Sequence, residues 1–194
     1  MLKSQELFSR GVPHGWAGMT DRQSAVLIRE LADGGFRSGE RLADLLGVSR
    51  AAVWKRIRTI GRETGLSIHA VRGKGYRLAE PLELLDRGQI LGGLETEAVG
   101  SLTDLHLHQQ VDSTNSWLMQ KAAAGAASGS VCLAEQQTAG RGRRGRTWAS
   151  PFGANIYLSV LWRFNQGPAQ LSGLSLAAGL AVLRALRREG IQGP

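Results

Sequence analysis

The spacing of apolar residues along this chain of 194 residues changes character near residue 80. Between Arg22 and Ala32, Leu27, Ile28 and Leu31 recur at helical intervals and predict an amphipathic helix that Gly34-Gly35 ends. Ser38 caps a second short helix over Glu40–Leu46, with Leu42, Leu45 and Leu46 facing inward. After the tight turn Gly47-Val48-Ser49, Ser49 caps a third helix running to about Ile60. There Val53, Ile57 and Ile60 share one buried face, while Trp54, Lys55 and Arg58 project from the other side. Leu66–Val71 and Tyr76–Leu78 read as short strands around Arg72-Gly73-Lys74-Gly75, a hairpin with a basic, glycine-rich tip.

Beyond Glu80-Pro81 the pattern alternates and lengthens. Leu84–Leu94 reads as a short helix ending at Gly92-Gly93, and Leu102–His108 alternates like a strand. The polar run Asp112-Ser113-Thr114-Asn115 opens a helix over Ser116–Ala124. Ser130–Ala134 is a buried strand continuing through Glu135-Gln136-Gln137-Thr138, and Asn155–Trp162 is another. Leu171–Glu189 is a long helix expected to turn Leu174, Ala178 and Ala181 toward the sheet. Strands closed by a long helix predict an α+β domain with a mixed, mostly antiparallel sheet and helices on one face. The expected organisation is therefore a disordered extension over 1–18 (with Met19 as an alternative start), a first domain over 19–80 and a second over 81–194.

Charge sharpens the first domain. The chain carries +8 overall with a pI of about 10.7, which favours an anionic partner. Residues 1–80 hold fourteen Lys/Arg against eight Asp/Glu, and residues 81–194 ten against eight, so the excess concentrates in the first part. A short helix, a glycine turn and a capped basic helix followed by a basic hairpin make a winged helix-turn-helix. Its third helix would enter the major groove of DNA. Ser49, Arg50, Ala51, Trp54, Lys55 and Arg58, with Arg72 and Lys74 of the wing, are the candidate contacts. The competing reading is a three-helix module used for packing or dimerisation.

One cysteine, Cys132, leaves no internal disulfide and fits a buried strand position in a cytoplasmic protein. No apolar run approaches the roughly 20 residues of a membrane span, and the N-terminus lacks the apolar core of a signal peptide. His69, His106 and His108 have no cysteine or carboxylate cluster at ligand spacing, so no protein-borne metal site is expected.

The second domain holds the most telling segment, Gly140-Arg141-Gly142-Arg143-Arg144-Gly145-Arg146-Thr147-Trp148. Glycine permits close approach to a ligand, and arginine offers planar cationic forks that match phosphate or carboxylate oxygens. Such a loop between two strands suits a flap that orders over an anion and excludes water from it. The Asp-Ser-Thr-Asn run adds unpaired helix N–H groups, hydroxyls and an amide as a polar cradle; the plainer reading is N-capping alone.

Several motifs in order carry a resemblance over about Met19 to Pro194. They are Ser38-Gly39-Glu40-Arg41-Leu42, Gly47-Val48-Ser49-Arg50-Ala51-Ala52, Arg72-Gly73-Lys74-Gly75-Tyr76, Asp112-Ser113-Thr114-Asn115, the stretch from Gln137 to Trp148, and Ser150-Pro151-Phe152-Gly153-Ala154-Asn155-Ile156-Tyr157-Leu158-Ser159. Together they resemble the bacterial biotin-[acetyl-CoA-carboxylase] ligases that double as biotin operon repressors. The resemblance implies a partial biotin/lipoate-ligase-type domain behind the winged helix. It also implies ATP, with magnesium as its counter-ion, and a biotinyl-5′-AMP intermediate whose acyl group passes to a lysine of the biotin carboxyl carrier protein. An adenylate-bound homodimer on operator DNA would be the repressing form.

By the same resemblance, Ser113, Thr114 and Asn115 line the biotin site and Gln137 reaches its ureido or carboxylate end. Arg141, Gly142 and Arg143 close over biotin and the phosphate, with Arg141 and Arg143 as the catalytic cations. Trp148 stacks on adenine and Tyr157 lies along the pocket, unless both merely pack in the core. The family continues with a Lys-Trp-Pro-Asn-Asp motif that this sequence does not reach, and no lysine follows Lys121. A 194-residue chain is therefore expected to show little or no ligase turnover. Two other readings stay open: a non-catalytic winged-helix transcription factor with a ligase-derived sensing domain, and a lipoate-ligase-like acyltransferase. The helix-turn-helix and the arginine-glycine loop argue against the latter.

Overall fold

Three helices form where the apolar spacing places them: α1 (Arg22–Leu31), α2 (Gly39–Leu46) and α3 (Arg50–Thr64). The computed structural model describes residues 22–142, 144, 146, 148–165, 167 and 171–191; the expected 1–18 extension and Arg143 lie outside them. Two compact units, residues 1–162 and 163–194, are taken separately. In the first, Ser38 caps α2 by accepting from Arg41 N–H, and Ser49 caps α3 by accepting from Ala52 N–H. The third helix runs past Ile60, because Thr64 Oγ1 donates back to the Ile60 carbonyl and Gly65 supplies the left-handed cap at φ 76°. Leu27, Leu31, Leu42, Val53 and Ile60 are fully buried between the helices.

The wing is an antiparallel hairpin, β1 (Ile68–Val71) with β2 (Gly75–Leu78). It joins the helices through Arg37, whose N–H and C=O both bond Tyr76 at 2.8 Å. Gly75 makes this approach possible. It sits at φ +100°, and a Cβ there would lie 2.1 Å from the Arg37 carbonyl oxygen.

Two short helices, α4 (Arg87–Gly92) and α5 (Thr96–Ser101), lead into the second region. The six-residue α5 is too brief for a periodic signal and is not foreseen from the sequence. A three-stranded sheet follows in the order β3 (Asp104–Val111), β4 (Ser130–Gln137), β5 (Tyr157–Leu161). It is mixed: β3 and β4 are parallel, β4 and β5 antiparallel. Parallel neighbours need a crossover, and α6 (Thr114–Ala123) is its helical part. In the second unit, α7 (Leu174–Arg188) forms over the expected stretch.

Candidate functional site

The end of β3, the start of α6 and the end of β4 meet at one place. Ser113 is the N-cap of α6 and its hydroxyl accepts from Ser116 N–H at 3.4 Å. Asp112 Oδ1 accepts from Ser113 N–H at 2.7 Å. Thr114 is the hub. Its N–H and its hydroxyl both donate to Gln137 Oε1, at 2.9 and 3.1 Å, and the same hydroxyl lies 2.8 Å from Ser159 Oγ on β5. The carbonyl end of the Gln137 amide is thereby fixed, while Nε2 is turned toward Gly140: a Cβ on that glycine would lie 3.1 Å from it. Ser113 and Thr114 are buried, Asn115 is exposed and Gln137 is half-buried.

The arginine-glycine loop springs from this cluster. Ala139 N–H donates to the Asp112 carbonyl, tying the start of the loop to the turn before α6. The Trp148 indole lies across Gly140 so closely that an added Cβ would meet Cδ1 at 2.6 Å; nearly half of the residue, 49%, stays exposed. Arg141 reaches across to α6, where its Nη2 donates to Ser116 Oγ at 2.8 Å. Gly142 N–H closes a turn onto the Arg146 carbonyl, with Arg144 inside it at φ 57°, a left-handed conformation disfavoured for a residue with a Cβ. Ser150 Oγ accepts from Gln137 N–H at 2.7 Å, so the far end of the loop returns to the same glutamine.

Tyr157 lies two residues before Ser159 on β5, the strand that the Thr114 hydroxyl reaches. It is buried with Val111 and Ala134 against Trp117, its hydroxyl donating to the Pro151 carbonyl and accepting from Asn155. Ser159 and Ser116 were not singled out from the sequence. Ser159 could have been, as a polar residue on an otherwise apolar alternating strand, whereas nothing local marks Ser116.

Two buried titratable groups lie on β4. Burial pushes the Cys132 thiol up to about 12, with Asp112 adding to the effect, so it stays a protonated core group. Burial also raises the Glu135 carboxyl above its ordinary value, opposed by the Leu85 N–H that it accepts at 2.6 Å and by the positive charge of Arg29.

A second candidate face lies on the helices. Arg50, Ala51, Trp54, Lys55 and Arg58 are exposed along one side of α3, with Ser49 at its cap. The Arg58 guanidinium stacks 4.9 Å from the Trp54 ring centroid. Arg72 and Lys74 are exposed at the wing tip. Lys74 and Arg77 both lie over the half-exposed Phe36 ring, at 5.7 and 5.2 Å; neither Phe36 nor Arg77 stood out in the sequence.

Comparison with known proteins matches two stretches of the chain. Residues 22–77 match the HTH domain model and residues 107–194 match the Biotin/lipoate A/B protein ligase family. The chain is 49% identical over 164 residues to the bifunctional ligase/repressor BirA of Escherichia coli, covering 84% of this chain and 49% of that protein. The protein of the same description from Bacillus subtilis is 36% identical over 174 residues, 89% of this chain and 53% of its own length. The biotin–[acetyl-CoA-carboxylase] ligase of Mycobacterium tuberculosis is 47% identical over 110 residues, 55% of this chain and 40% of that one. The chain spans about half the length of the curated bifunctional relatives it matches.

Proposed function

We propose that the second region of this chain, which belongs with the bifunctional ligase/repressors, supplies residues of a biotin and ATP site for biotin adenylation, and that its helix-turn-helix binds operator DNA in response. The observation that carries the reading is the Thr114–Gln137 pairing at the base of the arginine-glycine loop. It holds an amide and the start of a helix in one orientation, as recognition of a small polar ring system requires. The exposed Trp148 face offers a stacking surface for adenine.

In the proposed first step the biotin carboxylate oxygen attacks the α-phosphorus of ATP. The bond to the β-phosphate bridge breaks, giving biotinyl-5′-AMP and pyrophosphate. In the second, a lysine amine of a biotin carboxyl carrier protein attacks the acyl carbon and AMP leaves. Arg141 screens the repulsion between the two anions in the first step. Arg143, outside the described residues, is assigned the same task by the family resemblance alone. Ser113, Thr114 and Gln137 orient biotin; Asn115, exposed at the start of α6, and Gly142 are assigned to the same site by the family resemblance. Magnesium would travel with the triphosphate.

On the helix-turn-helix, Arg50, Lys55, Arg58, Arg72 and Lys74 supply cations for phosphates and base edges, and Trp54 supplies apolar contact. Among the described residues no helix is long and apolar enough to cross a membrane; the proposal places the chain in the cytoplasm, where carrier protein and operator are found. Biotin-dependent exchange of labelled pyrophosphate into ATP, measured on the protein purified from its native source, tests adenylation. Exchange that requires biotin supports the reading. Saturable biotin binding without any exchange would favour a ligand-sensing transcription factor instead.

A further inference from the structure

The loop does not end at Trp148 in mechanical terms. Two residues after Ser150, whose hydroxyl accepts from the Gln137 backbone N–H, Phe152 turns inward and is only 3% exposed. Its burial partners are not those of the sheet. Phe152 belongs to the same apolar cluster as Leu27, Ile28, Leu31, Leu42, Val53 and Ile60, the core of the helix-turn-helix. Gly153 N–H then donates to the Glu135 carbonyl at 3.0 Å, and Glu135 Oε1 accepts from Leu85 in the segment that leads out of the wing. A second tie runs nearby, where Gln110 Nε2 on β3 reaches the Glu63 carbonyl near the end of α3 at 3.5 Å.

We infer that Phe152 is a positioning residue that fixes the segment leading back from Ser150 to the helix-turn-helix core, so that the placement of Gln137 at the end of β4 and the packing of the helices are energetically coupled. The chain of contacts is short: Gln137 backbone N–H, Ser150 hydroxyl, one proline, then an aromatic ring inside the other module. A side chain wedged in a close-packed core transmits displacement because such cores do not deform continuously. Coupling of this kind is reciprocal. Whatever steadies Gln137 must tighten the helices, and whatever locks the helices must steady Gln137. The mechanical link stands on the packing alone; that it carries a biotin signal rests on the function proposed above.

A hydrogen-exchange cycle separates the two. Ser150→Ala removes the acceptor of the Gln137 backbone N–H, and Phe152→Leu keeps the core apolar while losing the ring. In otherwise wild-type protein, Ser150→Ala is expected to speed exchange of the α1 amides at least about twofold, the lower edge of coupling between contacting residues. In the Phe152→Leu background the same change should add nothing. Equal acceleration in both backgrounds, or none in either, overturns the inference, and a uniform loss of stability gives the former. A second arm adds biotin and ATP. Slower exchange at Gln137 in both proteins, with slower α1 exchange only when Phe152 is present, extends the link to ligand. No slowing at Gln137 in the wild type contradicts the proposed ligand site while leaving the first arm to decide on Phe152.

Discussion

The helix-turn-helix and the mixed sheet bury different chemistry. Between α1, α2 and α3 the core is aliphatic, and Leu27, Leu31, Leu42, Val53 and Ile60 are fully out of water. In and beside the sheet, His108, Gln109, Gln110, Ser113, Thr114, Ser130 and Glu135 are buried as well. An aliphatic core gains stability in proportion to area and tolerates rearrangement. A buried polar group costs stability unless its partners are in place, so each must be held in one geometry. The first region is therefore built to be stable and to display charge outward, and the second to hold polar atoms in fixed directions. A binding surface for a polyanion needs the former; a pocket for a small polar ligand needs the latter.

Substitutions should break the two regions in different ways. The largest effect is expected in the aliphatic core. Ile60→Ala removes a fully buried side chain from beneath α3 and should cost about 2–5 kcal/mol of unfolding free energy. Urea titration followed by circular dichroism measures it, and a loss under about 1 kcal/mol would mean that the core collapses around the gap. Arg58→Ala should leave that stability within about 0.5 kcal/mol, as exposed positions do. It should instead weaken duplex DNA binding across all sequences and lower the salt slope by about one; a salt slope equal to wild type would remove Arg58 from the contact set.

The sheet should answer to pH. Glu135 has its carboxyl raised above 4.5 in the fold, so the folded state favours the protonated form. That contribution is complete below the unfolded value and is lost as pH rises through the higher folded one. Glu135→Gln keeps an oxygen for Leu85 N–H and cannot ionise, so its stability should fall less than wild type between pH 4.5 and neutrality. Coincident profiles of urea midpoint against pH would show that Glu135 ionises in the fold as freely as in the unfolded chain.

The same contrast explains what could be read from the sequence. The helices of the first region were legible because burial there follows the helical period, and Ser38, Ser49 and the glycines mark their ends. Only the last turn of α3 was missed, since Gly61 reads as a stop unless the Thr64 cap is anticipated. In the second region the strands and the polar start of α6 were legible. The partners within it were not: Thr114 meets Ser159 across 45 positions of sequence, and Arg141 meets Ser116 across 25. Parallel pairing of β3 with β4 is likewise a tertiary fact with no local signature. Tyr157 shows the limit most plainly, since its position in a shared motif does not reveal that its ring is buried and its hydroxyl already bonded. Phe152 was visible as part of the same motif, yet nothing in its neighbours announces that it packs under the helices of the other module.

Calorimetric titration of biotin into wild-type protein and into Thr114→Val tests the central claim most directly. Valine keeps the volume and the backbone N–H but deletes the hydroxyl that joins Gln137 to Ser159. Loss of that bond should cost only about 0.5–1.5 kcal/mol of folding stability. The account predicts saturable binding to the wild type and at least about tenfold weaker binding to the variant, the equivalent of 1.4 kcal/mol. Equal affinity in the two proteins, or no biotin binding by a wild-type chain that is folded and binds DNA, would contradict it.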